Sequence, residues 1–163
     1  MSGKEQNGRN GSSVEAAKKT GAVKITEAAT PSPEKKTALE GLLAAVKGVK
    51  RLNICAHNNP DPDSLASSAA LKYILEQLAG VKCRIVYDGV IGRAENQAMV
   101  KLLHLPLRPL RRMRRLDAVA LVDTQPRTGN NPYPRQYRPL IVIDHHPLRK
   151  STAASWIDVR PQY

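Results

Sequence analysis

The stretch "HNNPDPD", residues 57–63, sets one histidine, His57, beside two aspartates, Asp61 and Asp63, with Pro60 and Pro62 among them. Prolines fix φ and limit how far the two aspartates can wander. The same donor types recur twice. Asp123 closes "AVALVD", and Asp144, His145 and His146 close "LIVIDHH". Carboxylates and imidazoles without thiolates suit Mn²⁺ or Mg²⁺, with Fe²⁺ or Co²⁺ also compatible. Several carboxylates offset the charge of two divalent ions, and one aspartate can bridge them. Such a pair, about 3.5–4 Å apart, activates a water and stabilises the oxygens of an in-line phosphoryl displacement.

Each residue also has a plainer use. Asp63 alone can cap a helix. Asp123 alone can form an Asx-turn before "TQP". His145 and His146 alone can be polar residues that follow a strand. Asp88 also ends a strand, but in a "DGV" turn that reads as structural. His104, in "KLLHLPL", reads as a packed or surface histidine. What joins the first set is position: each member follows an apolar strand-like run. In an open α/β sheet, ligands bind beyond the carboxyl ends of the strands. If these strands are parallel neighbours, the residues converge there.

The elements that must position them alternate. "PEKKTALEGLLAAVKG" has helical spacing and ends at Gly48. "RLNICAH" and "CRIVYDG" read as strands. Between them "DSLASSAALKYILEQLAG" predicts a helix capped by Ser64 or Asp63, with Leu65, Leu71, Ile74, Leu75 and Leu78 on its apolar side and Gly80 as its stop. Its N-terminal N–H groups, at Ser64, would suit a phosphate. "AENQAMVKLLHL" predicts another helix and "SWIDV" a last strand. "DAVALVD" and "PLIVID" are near-continuous apolar runs, as in parallel strands buried on both faces. The expected fold is α/β: a doubly wound, mainly parallel sheet with flanking helices.

Residues 1–33 are polar and rich in Gly, Ser and Lys, and read as a disordered basic tail before a domain over 34–163. Cys55 and Cys83 fall in apolar runs and read as small buried hydrophobes, which excludes a disulfide framework and a thiolate zinc site. No apolar h-region opens the chain and no apolar run nears the ~20 residues of a bilayer span. The expectation is therefore a cytoplasmic protein with no membrane partner. The formal net charge of +12 admits polyanionic partners, nucleic acid or nucleotides first, and equally a role in solubility. The run Arg108, Arg111, Arg112, Arg114 and Arg115 reads as a solvated basic face or as a phosphate-binding patch.

"HNNPDPDSLASS", "ALVDTQP" and "VIDHHP" resemble, in order, the first three motifs of the DHH phosphoesterases, over roughly residues 50–163. That superfamily includes RecJ-like exonucleases, nanoRNase/pAp phosphatases, cyclic dinucleotide phosphodiesterases, exopolyphosphatases and family II pyrophosphatases. The resemblance implies two divalent ions, manganese foremost, with magnesium or cobalt as further candidates. It implies His57 and Asp61 on one ion, Asp63 and His145 on the other, and Asp123 bridging both. Asp144 and His146 would be catalytic, Asp144 through hydrogen bonding and His146 by contact with the substrate phosphate. Ser64 would add a substrate contact. A metal-activated hydroxide would hydrolyse short oligonucleotides or nucleotides of the pAp type. The family's fourth motif and smaller C-terminal domain are not visible, so the chain is expected to be the N-terminal portion of a longer enzyme. An unpaired sheet edge would invite association, with a homodimer as one form. The alternatives are a pyrophosphatase or polyphosphatase of the same superfamily, an inactive nucleotide-binding module, and a basic nucleic-acid-binding chain.

Overall fold

A computed structural model of the chain describes residues 33–110 and 118–161. The tail expected over 1–33 therefore falls almost wholly outside the described residues, as do Arg111, Arg112, Arg114 and Arg115. The elements are α1 (Pro33–Ala45), β1 (Arg51–Cys55), α2 (Pro62–Ala79), β2 (Lys82–Tyr87), α3 (Ala94–Leu102), β3 (Leu107–Pro109), β4 (Val119–Val122), β5 (Ile141–Asp144) and β6 (Trp156–Val159). The strands form one sheet in the order β3-β2-β1-β4-β5-β6, and every pairing is parallel. This is the α/β sheet the alternation predicts, with no antiparallel strand among those described. The order reverses between β1 and β4, and that reversal opens a crevice at their carboxyl ends.

Burial explains the near-continuous apolar runs. All four residues of β4 are buried. Ala120 and Val122 join Leu52, Ile54 and Ile141 in one core cluster, with Leu42 of α1 and Leu71 and Leu75 of α2. Val119 and Leu121 point the other way and join Cys55, Val142, Tyr133 and Ala154. The period of two sends successive β4 residues to opposite faces of the sheet, one cluster on each. Both cysteines are buried and free. Burial pushes the Cys55 thiol up to about 12 and the Cys83 thiol to about 11, so neither is a reactive thiolate.

Helix α2 departs from expectation at its start. Its cap is Asp61, not Asp63 or Ser64: Asp61 accepts from the Ser64 N–H at 3.0 Å. Pro62 supplies the reason, since its fixed φ and missing N–H suit the first helical position and push the cap back to 61. Leu65, Leu71 and Leu75 are buried as predicted, whereas Leu78 is exposed. Strand β3 lies inside the basic stretch and was not anticipated, because three residues with one proline carry no strand pattern. Arg108 on it is exposed, as is His104. Among the described residues no helix is long and apolar enough to cross a membrane.

Candidate metal centre

Register brings the three motifs to one level. Cys55 lies opposite Leu121 and Val122 opposite Ile143. His57, Asp123 and Asp144 therefore leave adjacent strands side by side. Asp123 is buried and adopts φ 57°, with its N–H on the Ile143 carbonyl at 2.9 Å. A left-handed conformation is uncommon outside glycine, though Asp tolerates it better than most. Here the carboxylate lines the crevice.

The two Asp123 oxygens face different partners. Oδ2 lies 3.4 Å from His57 Nε2, which is also 3.6 Å from Asp61 Oδ1. Oδ1 lies 3.2 Å from His145 Nε2, which is 3.8 Å from Asp63 Oδ2. Asp123 Oδ1 is buried without a hydrogen bond. A buried carboxylate oxygen left so is costly unless a cation completes its surroundings. His57, Asp61 and Asp123 form one group whose donor atoms lie within 4.8 Å of one another; Asp123, His145 and His146 form a second. Oxygen and imidazole donors without sulfur fit a hard or borderline divalent ion. The residues present thus fit a metal pair that shares Asp123.

His146, a member of the second group, also hydrogen-bonds Asp144. Its Nδ1 lies 2.8 Å from Asp144 Oδ1. A carboxylate only accepts, so Nδ1 carries the proton and Nε2 is the outward nitrogen. The same Oδ1 receives the backbone N–H groups of His145 and His146 at 2.9 and 3.3 Å. Asp144 holds His146 above its ordinary pKa. Ser64 is a correction: its side chain has no exposed surface, so it makes no contact with a substrate from this position. Packing of α2 onto the sheet buries it, and its N–H is spent on Asp61. The Asp88 carboxylate accepts the Gly89 N–H at 2.7 Å.

Asparagines that no motif reading singled out hold the 57–61 loop. Asn58 N–H bonds the Asn130 carbonyl at 2.6 Å, and Asn59 N–H bonds the Asp88 carbonyl at 2.9 Å. Asn59 Oδ1 accepts from Val90 N–H at 2.8 Å, and Asn96 Nδ2 donates to the Pro60 carbonyl at 3.1 Å. Gly89 is required there. It has φ +81°, and a Cβ would meet Asn59 Oδ1 at 2.3 Å. The "TGNN" run signals a polar turn, but only folding shows that Asn131 Nδ2 ties Thr124 Oγ1 (2.8 Å) to the Gln125 carbonyl (2.9 Å).

His57 gives the centre a proton to lose. Its Nδ1–H donates to the Asn58 carbonyl at 2.8 Å, which aims Nε2 at the carboxylates. Asp123 raises its pKa to about 9, against the opposing pull of burial; the Asn58 carbonyl and Asp61 add to the rise. Burial resists ionisation of Asp61, but the Ser64 N–H and His57 outweigh it and hold that carboxyl below its usual value. The metal-free ring is therefore protonated at neutral pH, and a cation bound through Nε2 displaces that proton. Mn²⁺ affinity should rise from pH 7 to about 9 and then level. Calorimetry in buffers of different protonation heat should show the released proton. The metal-free fold should trend oppositely. A raised pKa stabilises fully below the ordinary 6.5 and loses that contribution as pH climbs through about 9. Its melting temperature in chelator should fall over that window; pH-independent affinity with no released proton would refute the account.

Two recesses flank the cluster. One of about 650 Å³ adjoins Asp63, Asp123, Asp144 and His145 and is walled by Ala38, Val122 and Ile143, with Arg160 also lining it. The other, about 450 Å³, adjoins His57 and Asp61 and is lined by Asn59, Arg93 and Asn96. A family model described as DHH family, N-terminal domain, matches residues 51–163. An uncharacterized protein of Methanocaldococcus jannaschii is 39% identical over 115 residues, which cover 68% of this chain and 23% of that protein. The chain thus spans less than a quarter of the length of this relative.

Proposed function

From the premise that this chain belongs to the DHH family, we propose that it is a manganese-dependent hydrolase of phosphate esters in nucleotides or short oligonucleotides. The family is one of divalent-metal-dependent phosphoesterases, so the reaction class and the need for metal come with membership. The observation that carries the reading is Asp123, with each oxygen turned to a different histidine–aspartate pair. His57 and Asp61 would hold one ion, Asp63 and His145 the other, and Asp123 would contribute to both. When bound, the ions supply Lewis acidity and an activated water. His146 presents Nε2 to the substrate phosphate, and Asp144 keeps the opposite ring nitrogen protonated. Residues 34–163 serve as the catalytic domain.

The choice of nucleotide over inorganic pyrophosphate rests on the recesses. Ala38, Val122 and Ile143 offer pyrophosphate nothing, but they can cover a sugar or base. Arg93 in the other recess suits a further phosphate. The test is Mn²⁺ titration of the chain, then product release from adenosine 3′,5′-bisphosphate, a 5′-phosphorylated diribonucleotide, pyrophosphate and polyphosphate. Two ions and faster release from the nucleotides are expected. A preference for pyrophosphate would overturn the substrate class, and absence of Mn²⁺-dependent release from all four would overturn the enzyme reading.

A further inference from the structure

Gln125 is 1% exposed, and its hydrogen-bonding capacity is spent between two motifs. Nε2 donates to Asp144 Oδ2 at 2.6 Å and to the Pro147 carbonyl at 3.1 Å. Oε1 accepts from the Arg149 N–H at 2.9 Å and from the Thr152 hydroxyl at 2.6 Å. A neutral amide two residues beyond Asp123 thus grips both the carboxylate that holds His146 and the loop that follows His146. Asp144 Oδ1 is satisfied by its own neighbours in sequence. Oδ2 has Gln125 as its hydrogen-bond partner among the described residues. The Asp144 side chain is 1% exposed, so water does not replace that donor. Without it, one oxygen of a buried carboxylate is left unpaired, and the group gains reason to rotate about its terminal torsion.

We propose that Gln125 is a positioning residue: it locks the Asp144 carboxylate so that the His146 ring stays in one tautomer with Nε2 turned to the substrate phosphate. The proposal deepens the phosphoesterase reading and rests on it for the role of His146. It touches none of the candidate metal ligands, so metal uptake and phosphate recognition should separate.

Two variants test it. Gln125→Glu keeps acceptors for the Arg149 N–H and the Thr152 hydroxyl but sets a carboxylate against Asp144. Gln125→Met keeps the volume and removes all four bonds, and it serves if the first fails to fold. On the Mn²⁺-loaded chain, either should weaken adenosine 5′-monophosphate binding on the order of tenfold with unchanged Mn²⁺ stoichiometry. Combined with His146→Ala, it should add almost nothing, because both substitutions remove one contact. Losses that simply add, or a lower melting temperature with affinity unchanged, would show a structural role only. A measurement on the metal-free chain stands apart from the enzyme reading. Long-range ¹H–¹⁵N spectra at one fixed pH, high enough for the ring to be neutral in both proteins, should show His146 protonated at Nδ1 in the parent and averaged between tautomers in the variant. If the parent binds neither Mn²⁺ nor the nucleotide, the phosphoesterase reading fails and these spectra still decide: a changed tautomer supports the grip on Asp144, and an unchanged one overturns it.

Discussion

Asp123→Ala is expected to reduce Mn²⁺ stoichiometry from two to at most one weakly held ion, and to lower turnover by more than the ~10²–10³-fold that loss of a single preorganised donor costs. Among the described residues, Asp123 is the one side chain with an oxygen towards both His57, at 3.4 Å, and His145, at 3.2 Å. On the proposed assignment, removing another ligand would leave one half of the centre intact, whereas removing this one would open both. Alanine at φ 57° adds a backbone cost of about 1–2 kcal/mol, so a loss of folding could imitate a loss of metal. Asp123→Asn separates the two effects. Asparagine tolerates the left-handed conformation and keeps the shape, while it removes the charge that ions require. It should fold as the parent does and still bind less than two ions. Calorimetric titration with Mn²⁺ reads the stoichiometry directly, and an Asn variant that takes up two ions with parental affinity would strip Asp123 of its bridging role.

His146→Ala should give the opposite signature. Mn²⁺ stoichiometry should stay at two, and the melting temperature should move little, because the side chain is 58% exposed and Asp144 Oδ1 keeps two backbone N–H donors. Turnover should nonetheless fall about 10²–10⁴-fold, the range for a lost acid–base or phosphate-contacting group. The reason lies in the tautomer. Nδ1 is committed to Asp144 at 2.8 Å, which leaves Nε2 as the nitrogen that, on the proposed reading, would meet the substrate phosphate. Asp144 keeps the two backbone N–H groups and Gln125 in the variant, so the rest of the centre is undisturbed. Parallel titrations with Mn²⁺ and with adenosine 5′-monophosphate distinguish the outcomes. Loss of an ion would move His146 among the ligands; retained nucleotide affinity and turnover would remove it from the site.

These two residues mark how far the linear sequence reaches. The sheet was legible because strands buried on both faces demand apolar residues at every position, and "AVALV" and "LIVI" supply them. The meeting of the donor residues at one end of the sheet was legible because side chains that cannot be buried alone were placed where apolar runs stop. Parallel pairing then makes their convergence a matter of register, as the alignment of Cys55 with Leu121 and Val122 with Ile143 bears out. Strand β3 was not legible, since its three residues pair only because β2 lies beside them. The helix cap was misplaced by two or three residues because Asp61, Asp63 and Ser64 are all good caps, and the choice fell to Pro62.

What the sequence determined by itself was therefore composition by position: which segments must be interior and which donor types stand at their ends. Tertiary structure alone decided how those donors are divided. It gave Asp61 to the helix start, turned Asp123 through a left-handed backbone, and committed one nitrogen of His146 to Asp144. It also brought Asn59, Asn96, Gln125 and Asn131 into the supporting network. An asparagine or glutamine in a loop has the same local signal whether it is solvated or buried. Its partners lie far away in sequence, 19 residues for Gln125 and Asp144 and 36 for Asn96 and Pro60, and only the folded chain brings a donor to the acceptor that needs it.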